Sequence, residues 1–308
     1  MLELDKNYKF FGKVTQINDS TYDNYPVNVT TENKENVIVR IKQDEEILLN
    51  KVYLFDTKSV NFKEKIHLEA LNYQLLDTLK IDDKKREKLM KEFYDYAPIK
   101  VTQIKKDIET IIENLENETI KQITKTIYNE YKDDFYLYPA ASRFHHAYIS
   151  GLAYHTHSML KLAKGFLKVY KYLNKDLLMA GIIIHDVCKI NEFSSYENAE
   201  YTIKGKLIGH ISMGVNLIEK VATKLDLEDK EETMLLEHII LSHHYYGHFG
   251  SPKKPNIAEA LMIHYIDNID SKACVLGEEL DTINEGELTK SIGVLDRERY
   301  FKHKLTNK

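Results

Sequence analysis

The sequence has only two cysteines, Cys188 and Cys274, in 308 residues, and it has no long apolar segment. Two cysteines do not make a disulfide framework, so we expect a reducing compartment. No segment approaches the roughly 20 apolar residues that a transmembrane helix needs, and the first residues lack the apolar core of a signal peptide. These absences exclude a disulfide-stapled secreted module and favour a cytoplasmic protein with no membrane partner.

Excess positive charge is also absent. The chain has 43 Lys and Arg residues against 48 Asp and Glu residues, which gives a formal net charge of −5. A global basic field of the kind that attracts nucleic acid is therefore excluded. Internal repeats and low-complexity tracts are missing as well. The length and the 43% hydrophobic fraction suffice for a sizeable core and favour two domains.

Residues 1–75 predict a small β-barrel. Polar turn-like segments separate five β-rich runs, at residues 8–17, 25–31, 37–41, 51–55 and 65–71. Five strands suit an OB-type barrel, and the same count suits an SH3-like barrel. OB folds bind single strands through exposed aromatic side chains and a basic groove. The aromatic candidates, any of which could instead be a core residue, are Tyr8, Phe10, Phe11, Tyr22, Tyr25 and Tyr53.

From residue 81 onward the apolar spacing is helical. We interpret residues 76–137 as a linker of amphipathic packing helices and residues 138–308 as an all-helical catalytic domain. The predicted fold class is therefore mostly α, with a small N-terminal OB-like barrel domain. On the helix that contains the apolar stripe of residues 152–169, His155 is predicted to face inward and His157 outward.

The segment Ile182-Ile183-Ile184 leads directly into His185-Asp186. A helix that is apolar all round is buried, and a buried ionised Asp costs several kcal/mol unless something compensates it. An isolated His-Asp pair is most often a satisfied core pair. Here, however, neighbouring predicted helices add further inward candidates. The full set is His155, His185, Asp186, His210, His243, His244 and Asp267.

So many uncompensated buried groups would exceed the net stability of a domain, and the pattern therefore predicts two divalent cations bridged by Asp186. Mixed imidazole and carboxylate ligands favour manganese, with iron, zinc or magnesium as alternatives. Two metals about 3.5–4 Å apart can polarise a phosphate and acidify a water. Asp186 and Lys189 are the predicted catalytic residues. If the helix continues through residue 189, Lys189 lies one helical turn after His185, where it is predicted to neutralise the substrate phosphate; a solvated lysine at a helix C-terminus is the equal alternative.

The order His155, His185-Asp186, Asp267 resembles the H…HD…D signature of the HD-domain metal-dependent phosphohydrolases. A closer resemblance is to the YhaM-type 3′–5′ exoribonucleases, which join an N-terminal OB domain to an HD domain. It rests on the strings PAASRFHH, GLAYHT, GHIS, SHH, GSPKKP and HYIDNIDSK, within residues 139–275. The first 75 residues are similar in architecture more than in sequence.

This resemblance implies a ligand set and substrate contacts. One metal would be held by His155, His185, Asp186 and Asp267, and the other by Asp186, His210, His243 and His244. Contacts to substrate phosphate are implied for Arg143, His145 and His146, with a polar loop near the site as the equal alternative. Two departures from the family pattern stand out. Cys188 replaces the usual Gly and is expected to crowd the approach to Lys189, and His248 is an extra imidazole, either a surface residue or a phosphate contact.

The implied activity is stepwise 3′–5′ hydrolysis of single-stranded RNA, or of DNA, to nucleoside monophosphates, by a chain that could form a homo-oligomer. Two alternatives remain open. An HD phosphohydrolase of free or cyclic nucleotides fits the acidic charge but not the barrel. A non-catalytic single-strand-binding protein fits the barrel, but it does not explain an intact set of metal ligands.

Overall fold

The computed structural model describes residues 2–19, 23–142 and 145–305, which fold as two compact units, Met1–Asp95 and Tyr96–Lys308. The described part of the first unit contains five strands, a short 3-10 helix (Leu76–Thr78) and one α-helix. Its strands are β1 (Asn7–Ile17), β2 (Asn24–Thr31), β3 (Asn36–Lys42), β4 (Val52–Phe62) and β5 (Lys65–Leu75), and α1 (Asp83–Phe93) follows them.

The five strands close into a barrel in the order β1-β2-β3-β5-β4, with β3 parallel to β5 and the other neighbours antiparallel. The predicted five-stranded barrel is confirmed, but β4 and β5 extend beyond the predicted ranges 51–55 and 65–71. In β4, Thr57 and Ser59 occupy fully buried positions, so polar residues interrupt the apolar alternation that identifies a strand.

Most of the predicted aromatic contacts of the barrel belong to its core. Tyr53 is buried, and Tyr8, Phe10 and Tyr25 pack against the same hydrophobic cluster. Phe10 stacks on Phe55 with a centroid separation of 5.6 Å. These four aromatic side chains are therefore core residues of the barrel, which is the alternative to a role in strand binding. Phe11 is half-buried outside that cluster, and Tyr22 lies outside the described residues.

The second unit is built from helices. They are α2 (Val101–Glu113), α3 (Glu118–Phe135), α4 (Gly151–Val169), α5 (Lys175–Ile184), α6 (Lys189–Glu192), α7 (Ile203–Leu207), α8 (Gly209–Lys224), α9 (Glu231–Ser242) and α10 (Ala258–Asp281). Within the described residues, no helix combines the length and apolar character required to cross a bilayer.

Helix α5 is the centre of this unit. Every residue after Lys175 is buried, as expected for a helix that is apolar all round, and α5 packs against α3, α4, α9 and α10. Contrary to the predicted linker 76–137, α2 and α3 share this core: Ile108 and Ile123 are fully buried in the same cluster as α5. The boundary between the units lies instead after Asp95.

Candidate metal centre

The seven predicted ligand residues come from five places in the helical unit and meet around Asp186. His155 lies on α4, His210 on α8 and Asp267 on α10. His185 and Asp186 follow the last residue of α5, and His243 and His244 follow the last residue of α9. Because helix C-termini carry partial negative charge, two of these helices direct that charge toward one pocket.

The Asp186 carboxylate divides the cluster into two groups. Its Oδ2 atom lies 3.2 Å from His185 Nε2 and 4.0 Å from His155 Nε2, and its Oδ1 atom lies 3.4 Å from His210 Nε2 and 3.8 Å from His243 Nε2. The ligand atoms of His155, His185 and Asp186 are within 4.8 Å of one another, as are those of Asp186, His210, His243 and His244.

Asp267 completes the first group. Its Oδ1 atom is 3.4 Å from His155 Nε2, and it also accepts a hydrogen bond from the Ser271 hydroxyl at 3.1 Å. Each oxygen of Asp186 thus faces a different set of imidazoles, which is the arrangement expected of a carboxylate that bridges two cations.

Every candidate histidine has its Nδ1 atom occupied by an acceptor. His185 and His243 each donate to the carbonyl three residues earlier, at Ile182 and Ile240, both at 2.8 Å. His244 donates to the Phe249 carbonyl at 2.7 Å. Since Nδ1 then carries the hydrogen, Nε2 presents its lone pair to the pocket, as in histidine metal ligands.

The two remaining histidines donate to carboxylates that the sequence analysis did not identify. His155 Nδ1 is 2.7 Å from Asp270 Oδ2, and His210 Nδ1 lies 3.0 and 3.1 Å from the two oxygens of Glu192. A signal for Asp270 existed, because it lies one turn after Asp267 on α10. Glu192 had no local signal, because its pairing with α8 depends on how separate helices pack.

Five buried polar atoms of the pocket have no hydrogen-bond partner among the described residues: Nε2 of His155, His185, His210 and His243, and Oδ1 of Asp186. Buried polar groups are almost always paired, and leaving one unpaired costs roughly 1–3 kcal/mol. Five such atoms directed at one space fit bound cations. The donor set of five imidazoles and two carboxylates suits divalent transition metals.

The charge states of the pocket agree with that fit. Burial alone would raise the pKa of Asp186, but His185 and Lys189 hold it well below its usual range. Burial, reinforced by His244, lowers the pKa of His243 well below its usual range, which keeps the imidazole neutral. Burial would also lower the pKa of His155, but Asp267 and Asp270 raise it to about 9, so metal binding at His155 displaces a proton.

Lys189 is buried at the start of α6, with 8% of its surface exposed, and its Nζ atom is 2.7 Å from Asp186 Oδ2. The solvated-lysine alternative is therefore wrong. Cys188, expected to crowd this approach, is instead buried in the hydrophobic core, where burial raises the pKa of its thiol to about 12.

His145 and His146, both predicted to contact substrate phosphate, lie in different environments. His145 lines the cavity beside Lys189, whereas His146 is buried, with Nε2 2.8 Å from Asp270 and Nδ1 2.7 Å from the Tyr148 hydroxyl. Both ring nitrogens of His146 thus have hydrogen-bond partners. His146 is therefore better placed to orient Asp270 than to contact substrate. Arg143 lies outside the described residues.

The prediction that His157 faces outward is wrong. His157 is 2% exposed, and its Nε2 atom lies 2.8 Å from Asp107 on α2. Helix α4 packs against α2 on one face and against α5 and α10 on others. The amphipathic-helix pattern assumes a single buried face, and it therefore places His157 incorrectly on the exposed side.

A cavity of about 920 Å³ opens onto the candidate metal ligands. Its lining includes Lys189, His210, His244 and Asp267, together with His264 from α10. His264 is buried and donates from Nδ1 to the His243 carbonyl at 2.9 Å. The cavity is large enough for a nucleotide-sized ligand.

Residues 152–272 match the family model described as HD domain. This span contains all seven candidate metal ligands and both carboxylates that support them. HD domains bind divalent metals, so the match agrees with the unpaired imidazoles of the pocket. The chain therefore contains an HD domain at residues 152–272, which follows a five-stranded N-terminal barrel in the sequence, and this domain indicates a metal-dependent phosphohydrolase.

Proposed function

We propose that this protein is a metal-dependent 3′–5′ exonuclease that hydrolyses single-stranded RNA to nucleoside monophosphates. The observation that carries the phosphohydrolase part is the Asp186 carboxylate, whose two oxygens face two separate sets of unpaired imidazoles. The strand polarity and the RNA substrate rest on the resemblance of residues 139–275 to YhaM-type enzymes.

Two divalent cations held by the candidate ligands would supply Lewis acidity toward a phosphodiester, with manganese the first metal to test. The chain supplies the positioning. Lys189, anchored on Asp186, provides a buried positive charge for a nonbridging phosphate oxygen. Burial, with the charge of Lys189 next in size, lowers the pKa of His145 to about 3, so this neutral imidazole can donate a hydrogen bond at the cavity wall.

The depth of the candidate metal centre favours attack at the end of a nucleic-acid strand. The side chains of His155, His185 and Asp186 are each at most 3% exposed, and they lie behind the cavity lining, in contact with its residues Asp267 and His210. A duplex is too wide to reach such a position, and an internal segment of a single strand would have to fold sharply to do so. A free terminus reaches it without that cost.

The barrel supports a nucleic-acid substrate. We infer that it is of the OB type, because its five strands include one parallel pair, β3 with β5, whereas an SH3-like barrel pairs its strands antiparallel. OB folds commonly bind single strands. With ten basic and twelve acidic residues in its first 75 positions, the barrel would rely on local contacts rather than on net charge.

The direct test uses a single-stranded RNA labelled at its 5′ end, incubated with metal-loaded protein. We expect a ladder that shortens from the 3′ end, with nucleoside monophosphate as the released product. The same RNA closed into a circle should stay intact. Cleavage of the circle would contradict exonuclease action and indicate an endonuclease.

A second candidate, a phosphohydrolase of free or cyclic nucleotides, is favoured by the size of the cavity, which would hold one nucleotide. Cyclic and free nucleotides therefore belong in the same assay. Hydrolysis of these compounds without shortening of RNA would favour this candidate. Asp186→Asn provides the control for either activity, because it should abolish hydrolysis and reduce bound metal together.

A further inference from the structure

The mouth of the cavity carries large apolar side chains that remain open to solvent. Tyr246 is 46% exposed, Phe249 61% and Tyr201 46%, and all three line the cavity. Ile208, also at the mouth, is 52% exposed. Exposed apolar patches next to a functional pocket commonly mark a ligand-binding surface.

Tyr246 and Phe249 belong to one compact turn. Their ring centroids are 6.0 Å apart and nearly perpendicular, and His248 lies between them, 5.4 Å from Tyr246 and 4.2 Å from Phe249. The turn ends at Gly250, whose φ of +96° is in the left-handed region that favours glycine. The rings therefore form a small aromatic surface on a defined backbone.

The backbone of this turn also holds a candidate metal ligand. The Phe249 carbonyl accepts the hydrogen bond from His244 Nδ1 at 2.7 Å, and the Ser251 hydroxyl accepts one from the His244 backbone at 3.0 Å. The aromatic surface is consequently tied to the candidate metal centre by two hydrogen bonds. A group stacked on it would lie at a fixed displacement from the phosphate site.

Once divalent cations occupy the candidate metal centre, the charge around the cavity would favour an anionic occupant that also has flat apolar parts. Lys189 and Lys272 line the cavity, with Lys272 exposed at the surface. The acidic lining residues are Glu192, Asp267 and Asp296, and Glu192 accepts hydrogen bonds from the His210 backbone and ring. Alternating phosphates and bases fit this combination, since a base stacks on an aromatic ring whatever its identity.

We infer that Tyr246 and Phe249 form a stacking site for a nucleobase at the 3′ end of the single strand, which positions the terminal phosphodiester over the candidate metal centre. This inference rests on the proposed nuclease function and names the residues by which the same cavity would recognise its substrate. The stacking is independent of base identity, so it places the strand without selecting a sequence.

The experiment measures equilibrium binding of metal-loaded protein to a 5′-fluorescein single-stranded RNA by anisotropy. A phosphorothioate at the terminal linkage slows hydrolysis during the measurement. A second RNA is identical except for an abasic residue at its 3′ end. For the intact RNA, Phe249→Ala and Tyr246→Ala should each weaken binding about 5- to 150-fold, the range for loss of one stacked base.

The abasic RNA should bind the wild-type protein with a similar loss, and the two variants should weaken its binding little further. Phe249→Tyr and Tyr246→Phe keep the rings and should bind as the wild type does. The control is Tyr172→Ala, because Tyr172 is 67% exposed but does not line the cavity. Metal content, measured by elemental analysis, checks that the variants retain the metal centre.

Equal losses on both RNAs, or no loss on either, would overturn the stacking site. A wild-type protein that binds RNA in the predicted pattern but does not shorten it would leave the stacking site standing and contradict the nuclease function. If the wild-type protein shortens RNA but its alanine variants bind RNA normally, the nuclease function would stand and the stacking site would be contradicted. The two failures are therefore distinguishable.

Discussion

Asp270 accepts hydrogen bonds from two buried histidines, His155 and His146, through a single oxygen. Burial alone would raise the pKa of Asp270, but these two hydrogen bonds lower it to about 2, so the carboxylate is ionised at neutral pH. Its position fixes which nitrogen of His155 faces the pocket. Carboxylates in such positions influence metal affinity without touching the metal.

We therefore expect Asp270→Asn to weaken metal binding about 10- to 100-fold, because an amide no longer fixes the His155 tautomer by charge. Competition with a chromophoric chelator measures the affinity. The matched control is Asp281→Asn, which changes an exposed aspartate on the same helix. Unchanged affinity in Asp270→Asn would show that His155 is oriented by its packing alone.

His157 allows a test of the opposite kind, since it is buried beside Asp107 and away from the metal ligands. His157→Ala should lower the free energy of unfolding by about 1–3 kcal/mol through the lost hydrogen bond and packing. Bound metal should stay at the wild-type level. Urea unfolding and elemental analysis measure the two quantities, with exposed His303→Ala as control. Metal loss in His157→Ala would place it in the site.

The inward position of His155 could be predicted from the apolar spacing of its helix, but the burial of His157 could not. A stripe predicts one buried face, whereas α4 packs on several sides. The pairings of Asp270 and Glu192 were missed for a related reason. Such contacts join side chains of separate elements, and their geometry exists only after the helices pack.

Among the elements, α4 depends on its first residue. An added Cβ at Gly151 would lie 1.9 Å from the His146 carbonyl oxygen and 3.1 Å from the Ala140 backbone nitrogen, distances that require the backbone to move. This close approach places Ala140 and His146 directly against the start of α4. His145, the neighbour of His146 in the chain, lines the cavity.

Gly151→Ala should therefore destabilise the helical unit by about 1–3 kcal/mol or more and reduce hydrolysis, because it displaces His145 and His146. Gly165→Ala is the matched control on the same helix. An added Cβ there meets nothing within 4 Å, so the better helix propensity of alanine should raise stability by up to about 1 kcal/mol. Thermal unfolding and initial rates measure both; equal behaviour of the two variants would contradict the steric explanation.

The stretch 182–189 was predicted as one continuous helix, yet α5 ends at Ile184 and α6 begins at Lys189. No Gly or Pro marks the interruption in the sequence. The bond from His185 Nδ1 to the Ile182 carbonyl satisfies a free carbonyl at the end of α5, and the pocket around Asp186 holds the turn. Local sequence thus predicts the helix, while tertiary contacts determine where it ends.

For the whole molecule, the boundary after Asp95 predicts which fragments fold. A fragment of residues 96–308 keeps the complete helical core and should bind metal and hydrolyse a small phosphodiester like the full chain. A fragment of residues 138–308 lacks α2 and α3, whose buried isoleucines belong to that core, and should fail to fold. Circular dichroism and metal content separate these outcomes, and equal folding of both fragments would contradict the assignment of α2 and α3.

The supporting carboxylates also determine the charge of the pocket. His155 is protonated at neutral pH, since its pKa is about 9. With the other imidazoles counted as neutral, this proton, the four carboxylates Asp186, Asp267, Asp270 and Glu192 and the ammonium of Lys189 give a net charge of −2. Such a pocket repels a phosphate. Two divalent cations, bound with loss of the His155 proton, would change its charge to +1, which attracts one. We therefore expect metal loading to precede binding of a phosphate-bearing ligand, and this order would let an acidic chain hold an anion without a basic surface.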